Sequence, residues 1–124
     1  MTQTYGFPLE VWEEAKEETR QILIQCARDE KPIAYSELVA EIHTIRFEPQ
    51  DPRLGEMLGQ ISSAENVAGR GMLSLLVVHK GGDHMPGPGF FNLAESLGKQ
   101  FDDNLTFWVK EFEYVIEYWR GTQE

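Results

Sequence analysis

Three observations predict a mostly helical α+β domain with a small sheet. Long segments repeat apolar residues every three or four positions, which is the period of an amphipathic helix. Only two short segments, 33–35 and 72–79, have the composition of strands, and a loop of four glycines and two prolines follows the second. The chain has 124 residues, the size of one ordinary domain, so residues 1–124 are predicted to form a single unit.

The first helix is predicted over Leu9–Glu30. Its apolar or small positions fall at helical spacing: Val11, Ala15, Thr19, Ile22 and Cys26. Four glutamates near its start (Glu10, Glu13, Glu14 and Glu17) suit the positive end of the helix dipole. Pro32 cannot continue the helix, and the following Ile33–Tyr35 is long enough only for a short strand.

The second and third helices are predicted from their caps and apolar faces. Ser36 is the N-cap candidate of the second helix, whose apolar face is Leu38, Val39, Ile42 and Ile45. Residues Phe47–Asp51 form a loop, and Asp51-Pro52 then supplies a cap and a first-turn proline to a third helix. That helix should stop before Gly69, and its buried stripe is Leu54, Met57, Leu58 and Ile61.

The second half of the chain predicts one strand and two more helices. Met72–His79 is apolar except at Ser74 and His79, which indicates a central strand. Gly81–Gly89 is predicted as a loop. Phe90–Leu97 is predicted as a short helix closed by Gly98, and the last helix should run from Asn104 to about Arg120.

The last helix has two apolar flanks. One consists of Leu105, Trp108, Val109, Phe112, Ile116 and Trp119, and the other of Phe107, Tyr114, Val115 and Tyr118. A single face suffices to pack a terminal helix on its own domain, so two faces favour a second chain as partner. A homodimer is therefore predicted, with Phe107, Trp108, Phe112, Tyr114 and Tyr118 at its interface. The alternative is a helix buried deeply in its own core.

The charge of the chain restricts its partners. Its net charge is −10, which argues against general attraction to nucleic acid or to anionic lipid. Residues 1–42 and 82–124 each carry −5, whereas residues 43–81 are neutral, so only the middle third could approach a phosphate backbone unopposed. No apolar run is long enough for a membrane span and no secretory signal is recognisable, so a cytoplasmic location is expected.

Two stretches resemble the DNA-binding domain of DNA alkyltransferases and alkyltransferase-like proteins, which is a winged helix. Ile33-Ala34-Tyr35-Ser36-Glu37-Leu38-Val39 resembles that family's strand-to-helix entry. Arg53-Leu54-Gly55 and the segment 75–82 (LLVVHKGG) resemble its arginine-bearing helix and the strand after its nucleophile. The segment Gly89–Gly98 (GFFNLAESLG) is also similar to one found in uncharacterised bacterial winged-helix-like proteins. The resemblance implies a winged-helix-like fold, with the loop 81–89 as its wing.

The family's alkyl-transfer chemistry is missing from this chain. That reaction needs a thiolate in a Pro-Cys-His-Arg stretch, and the corresponding residues here are Leu73-Ser74-Leu75-Leu76. By the resemblance, Tyr35 and Arg53 match the family's base-flipping tyrosine and arginine. The alternatives are a tyrosine at the edge of the core and an arginine on a solvated helix.

No other pattern in the sequence identifies a catalytic, metal or cofactor site. Cys26, the single cysteine, lies at an apolar position of the first helix with no nearby activating base. His79, Asp83 and His84 lie close in sequence but lack the spacing of a specific metal site. The loop 81–89 lacks the Gly-Lys-Ser/Thr ending of a phosphate-binding loop. We therefore predict no catalytic residue, metal or cofactor, and enzymatic activity is left open as the less favoured interpretation.

Two functions remain as hypotheses. The first is a non-enzymatic interaction module that self-associates through its C-terminal aromatic helix and binds a protein partner, as its acidic exterior favours. The second is a DNA-binding winged-helix regulator that contacts DNA through helix 51–68 and the wing 81–89. Its nucleic-acid-binding candidates are Tyr35, Arg53, Gln60, Asn66, Arg70 and Lys80.

Overall fold

The computed structural model describes residues 3–81 and 84–121. Five α-helices and four two-residue strands follow one another in the order β1 (Gln3–Thr4), β2 (Phe7–Pro8), α1 (Leu9–Arg28), β3 (Ile33–Ala34), α2 (Tyr35–Glu41), α3 (Pro52–Val67), β4 (Val77–Val78), α4 (Pro88–Ser96) and α5 (Asn104–Arg120). A 3₁₀ turn, Leu73–Leu76, precedes β4. The predicted α+β class is thus confirmed at the level of a mostly helical chain with very small sheets.

One hydrophobic core unites the helices. Helices α1 and α5 pack against each other, and the 3₁₀ turn is buried between α1, α3 and α5. Trp119 of α5 is only 1% exposed, and the guanidinium carbons of Arg20 and Arg28 in α1 lie 5.9 and 5.7 Å from its ring centroid. The first and last helices of the described chain therefore complete the same core.

The strands form two separate pairs. β1 and β2 make an antiparallel hairpin, whose turn residues Tyr5 and Gly6 both have positive φ. β3 and β4 are parallel, with Ile33 opposite Val77 and Ala34 opposite Val78. This second pair joins the start of α2 to the end of the 3₁₀ turn, and α2 also contacts β4 and α1.

A tight seam joins the start of the 3₁₀ turn to α5. We call this the α5 seam and define it by Gly71, Met72, Glu111, Tyr114 and Val115. The buried Glu111 carboxylate accepts a hydrogen bond from the Met72 backbone N–H (2.9 Å, through Oε2). Gly71 has φ +90°, and a Cβ there would lie 2.7 Å from Val115 Cγ2. The fold thus requires glycine at position 71.

Most predicted helix boundaries are confirmed to within two residues. The Asp51 cap is confirmed because its side chain accepts from the Arg53 N–H, and Pro52 is the first residue of α3. The helix after the glycine-rich loop does end before Gly98, whose φ is +89°. The backbone N–H groups of Gly98 and Lys99 donate to the carbonyls of Glu95 and Ala94, which is the Schellman pattern.

Three sequence predictions about local structure are wrong. Helix α2 ends at Glu41, so Ile42 and Ile45 lie beyond it and are not part of its apolar face. Ser36 does not cap α2, because the helix already begins at Tyr35 and the Glu37 side chain accepts from the Ala34 N–H (2.9 Å). Residues 72–79 do not form a central strand. The Ser74 N–H donates to the Ser62 hydroxyl at 2.8 Å, and the run is coiled into the 3₁₀ turn with only two strand residues after it.

The predicted loop 81–89 ends earlier than expected, because Pro88 and Gly89 already belong to α4. Residues 82 and 83 lie outside the described part of the chain. The winged-helix arrangement and its wing therefore stay predictions. Among the described helices, none is long and apolar enough to cross a membrane.

Candidate functional site

A wide cleft lies between α3 and the segment that leads into α4. Its volume is about 1390 Å³, which is above the roughly 300–1,000 Å³ that is usual for small-molecule pockets. We call it the α3–α4 cleft. The residues that line it include Tyr35, Asp51, Gly55, Glu56, Gly59, Gln60, Ser63, His79, Gly87, Phe90 and Leu93.

The floor of the α3–α4 cleft is a row of small residues on α3. Gly55, Gly59 and Ser63 follow one another at intervals of four and therefore share one face of the helix. Within the described chain, a Cβ on Gly55 would meet no atom within 4 Å, and one on Gly59 would meet only Leu93 Cδ2 at 3.9 Å. Because glycine inside a helix costs roughly 0.5–1 kcal/mol relative to alanine, these glycines keep the floor open at a cost to stability.

One wall of the cleft is held by hydrogen bonds across the chain. The Tyr35 hydroxyl accepts from the Gly87 N–H at 3.4 Å, and the Tyr35 and His79 rings lie 5.0 Å apart, centroid to centroid. The His79 N–H donates to the Met85 carbonyl at 3.0 Å. The segment that leads into α4 is thereby fixed against the start of α2.

The opposite wall is the apolar face of α4. Phe90 and Leu93 both line the cleft, and Phe90 also contacts the Phe91 ring edge to face at 5.2 Å between centroids. Phe90, Phe91 and Ala94 are all buried in the hydrophobic core and anchor α4 there. An apolar wall of this kind, beside a floor of small residues, suits an apolar group that enters between α3 and α4.

The ionised side chains that line the cleft carry negative charge. Among the described residues that line it, Asp51 and Glu56 carry carboxylates and none is lysine or arginine. Arg53 does not line the cleft but pairs with the lining residue Asp51 (Nη2 to Oδ2, 2.8 Å), and its guanidinium carbon lies 4.8 Å from the Phe7 ring centroid. The hydrogen bonds from Arg53 hold the pKa of Asp51 below its ordinary value. Glu56 accepts only a neutral hydrogen bond, from the Tyr5 hydroxyl at 3.2 Å, among the contacts of the described chain.

The six candidate nucleic-acid residues are not gathered on one surface. Tyr35 and Gln60 line the α3–α4 cleft, and the Gln60 Oε1 accepts from Trp12 Nε1 at 3.0 Å and from Lys16 Nζ at 3.1 Å. Asn66 lines a smaller cavity of about 220 Å³ beside the α5 seam. Two of the six candidates therefore share the cleft.

The three basic candidates differ in their surroundings. Arg53 is paired with Asp51, as described above. Arg70 donates to the buried Glu65 from Nε and Nη2 at 2.8 and 2.7 Å, and Glu65 also accepts from Arg20. Lys80 is exposed just after β4. The two arginines thus serve as ion-pair partners within the fold.

The five predicted interface residues of α5 are largely engaged with their own domain. Phe107 stacks on Phe101 with centroids 4.3 Å apart, and Trp108 Nε1 donates to the Leu75 carbonyl at 3.0 Å. The Tyr114 hydroxyl donates to the Gly69 carbonyl at 2.6 Å, although more than half of the side chain is exposed. The other two, Phe112 and Tyr118, are half-buried and contact Trp108 and Trp119 respectively. The apolar residues of α5 that remain most exposed, besides Tyr114, are Leu105 and Val109.

The titratable residues considered for catalysis or metal binding are Cys26, His79, Asp83 and His84, and they do not form a cluster among the described residues. Burial raises the pKa of the Cys26 thiol to about 11, and the nearby carboxylates of Glu41 and Asp29 add to the effect. His79 and His84 are exposed, and Asp83 lies outside the described residues. The described residues contain no group of three or more side chains placed to hold a metal ion.

The α3–α4 cleft was not predicted from the sequence, although the sequence contains one indication of it. Two glycines spaced by four inside a helical pattern indicate a face that lacks side chains, and Gly55 and Gly59 form such a pair. No family model, curated protein or solved structure matches this chain significantly. The resemblance to the alkyltransferase DNA-binding domain therefore stays an expectation.

Proposed function

We propose that the protein is a non-enzymatic interaction module that holds a segment of a protein partner in the α3–α4 cleft. The observation that carries the proposal is the size and lining of the cleft, whose volume of about 1390 Å³ exceeds that of usual small-molecule pockets. Peptide recognition commonly places an apolar segment in a groove of this kind. The acidic character of the chain and of the cleft disfavours a nucleic acid as the occupant.

The floor glycines support the same proposal. A Cβ at Gly55 or Gly59 would fit the fold, and it would occupy space at the lining of the cleft. Alanine at either position would stabilise the helix. A partner that packs directly against the α3 backbone accounts for glycine at both.

The test is a selection of partner peptides followed by a filled-cleft control. A displayed library of random peptides is selected on the wild-type protein, and each enriched peptide is then titrated against Gly55→Leu, which fills the cleft. Ala40→Leu is the matched control, since it adds the same side chain at an exposed position of α2 away from the cleft. We expect at least a tenfold loss of affinity with Gly55→Leu and no change with Ala40→Leu.

Two results would overturn the proposal. One is equal binding of the enriched peptides to wild type and to Gly55→Leu. The other is saturable binding of a DNA duplex of about 20 base pairs that weakens with salt and is lost in Arg53→Glu, which would favour the nucleic-acid hypothesis instead.

Self-association through α5 stays a prediction from the aromatic pattern. Trp108→Ala is a poor test, because it would leave the Leu75 carbonyl without its donor and so disturb the fold. Leu105→Lys changes an exposed residue and leaves the core intact. Sedimentation equilibrium should show a dimer for the wild type and a monomer for Leu105→Lys. A wild-type monomer at all concentrations would contradict the prediction.

A further inference from the structure

We propose that the segment held in the α3–α4 cleft is basic as well as apolar, with a lysine or arginine that pairs with Glu56. This inference rests on the proposed function and specifies the chemistry of the partner. It follows from the charges that line the cleft and from the hydrogen-bonding capacity that Glu56 retains.

Among the described residues that line the cleft, the acidic side chains have no basic counterpart in the lining. Asp51 and Glu56 contribute two carboxylates, and the lining contains no lysine or arginine among the described residues. Two cations contact the lining from outside it, and both already have a carboxylate partner. Arg53 pairs with Asp51 at 2.8 Å, and Lys16, which donates to Gln60, pairs with Glu13 at 2.8 Å. An acidic partner segment would thus meet repulsion, whereas a basic one would meet attraction.

Glu56 is the carboxylate best placed to receive that charge. Asp51 is already engaged with Arg53 and with the first turn of α3. Glu56 accepts one hydrogen bond from the neutral Tyr5 hydroxyl, and an ionised carboxylate has room for about four. Its side chain is exposed at the cleft, so it can bind a cation without first losing an internal ion pair.

Apolar contacts supply the rest of the recognition. The wall formed by Phe90 and Leu93 lies across from the row of small residues on α3. A partner helix or strand whose apolar side chains enter this space presents its polar residues toward the rim, where Glu56 lies. The expected partner segment is therefore amphipathic, with an apolar face and basic residues beside it.

Two labelled peptide probes of about 14 residues test the inference. One has the sequence LKKLLKLLKKLLKL, and the other has glutamate in place of every lysine. Fluorescence anisotropy measures the affinity of each for the wild type, for Gly55→Leu, for Glu56→Gln and for Glu113→Gln. Glu113 is an exposed carboxylate on α5 outside the cleft, so its variant makes the same change in net charge elsewhere.

We expect the lysine peptide to bind more tightly than the glutamate peptide, with the difference lost in Gly55→Leu. Glu56→Gln should weaken the lysine peptide about threefold, which is the scale of an exposed ion pair, and Glu113→Gln should not. Equal effects of Glu56→Gln and Glu113→Gln, with binding still lost in Gly55→Leu, would overturn this inference and leave the proposed function standing. Binding that is unaffected by Gly55→Leu would overturn both. Failure of the lysine peptide to bind at about 1 mM would overturn the inference.

Discussion

The floor of the α3–α4 cleft and the α5 seam both contain glycine, but for opposite reasons. At the seam, Gly71 has a positive φ and no room for a Cβ, because Val115 would lie 2.7 Å away. On the floor, Gly55 and Gly59 are helical and leave room for a Cβ within the described structure. The seam therefore needs glycine to fold, whereas the floor has it although folding does not require it. This difference supports the proposal that a partner segment occupies the cleft.

Gly71→Ala should have the largest effect on stability. A left-handed backbone costs an L residue about 1–2 kcal/mol, and the methyl group would also force Val115 to move. With a typical overpacking cost of about 1–3 kcal/mol, we expect the free energy of unfolding to fall by about 3 kcal/mol. Urea denaturation measures the loss. An unchanged midpoint would show that the seam is looser than its geometry indicates.

Glu111→Ala should be the next most damaging change. It would leave the buried Met72 N–H without its acceptor, which typically costs about 1–3 kcal/mol. Glu111→Gln keeps an acceptor oxygen and should recover most of the stability. If the alanine and glutamine variants unfold at the same urea concentration, the hydrogen bond to Met72 is not what holds the seam.

Gly55→Ala and Gly59→Ala should change stability in the opposite direction. Each replaces a helical glycine without a clash, so each should raise the free energy of unfolding by about 0.5–1 kcal/mol. Urea denaturation of each variant measures the change in the free energy of unfolding. A loss of stability in both variants would remove the contrast between floor and seam, and with it one support for the proposed function.

A lower pH should slightly reduce the stability of the fold through Asp51, which caps the start of α3. Hydrogen bonds from the Arg53 side chain and then its backbone N–H, acting against the effect of burial, lower the pKa of Asp51 below 3.8. Asp51 therefore stabilises the fold fully above its unfolded pKa, and this contribution is lost as the pH falls through the lower folded value. Asp51→Asn keeps a capping oxygen but cannot titrate. Its stability should fall less than that of the wild type between pH 5 and pH 2, about the range in which such carboxylates titrate; equal losses would contradict the role of Asp51.

The helices were predictable from sequence because their signals are local. Asp51-Pro52, the apolar stripe of α3 and Gly98 each act within one or two turns, and each is found where it was predicted. The backbone conformation of residues 72–79 was not predictable, because an unbroken apolar run indicates burial without indicating an extended backbone. Its conformation depends on the Ser62 hydroxyl, which is distant in sequence and accepts from the Ser74 N–H.

The candidate site was less predictable, because tertiary contacts form it. Tyr35 and Gln60 were chosen as nucleic-acid contacts and do line the α3–α4 cleft. The second wall, however, depends on contacts between residues that are distant in sequence, such as the one between Tyr35 and Gly87 and those between α3 and α4. The aromatic flank of α5 illustrates the same limit, since Phe101 and the Leu75 carbonyl occupy it from outside the helix.

The packing of α1 against α5 has a consequence for how the protein is made. Trp119 lies beneath Arg20 and Arg28 of the first helix, so the core stays open until α5 has left the ribosome. At about 5–20 residues per second, α1 waits for its partner for several seconds after it is synthesised. During that time the part of α1 that packs against α5 stays uncovered, whereas Trp12 can already pack against Phe7 and Phe47.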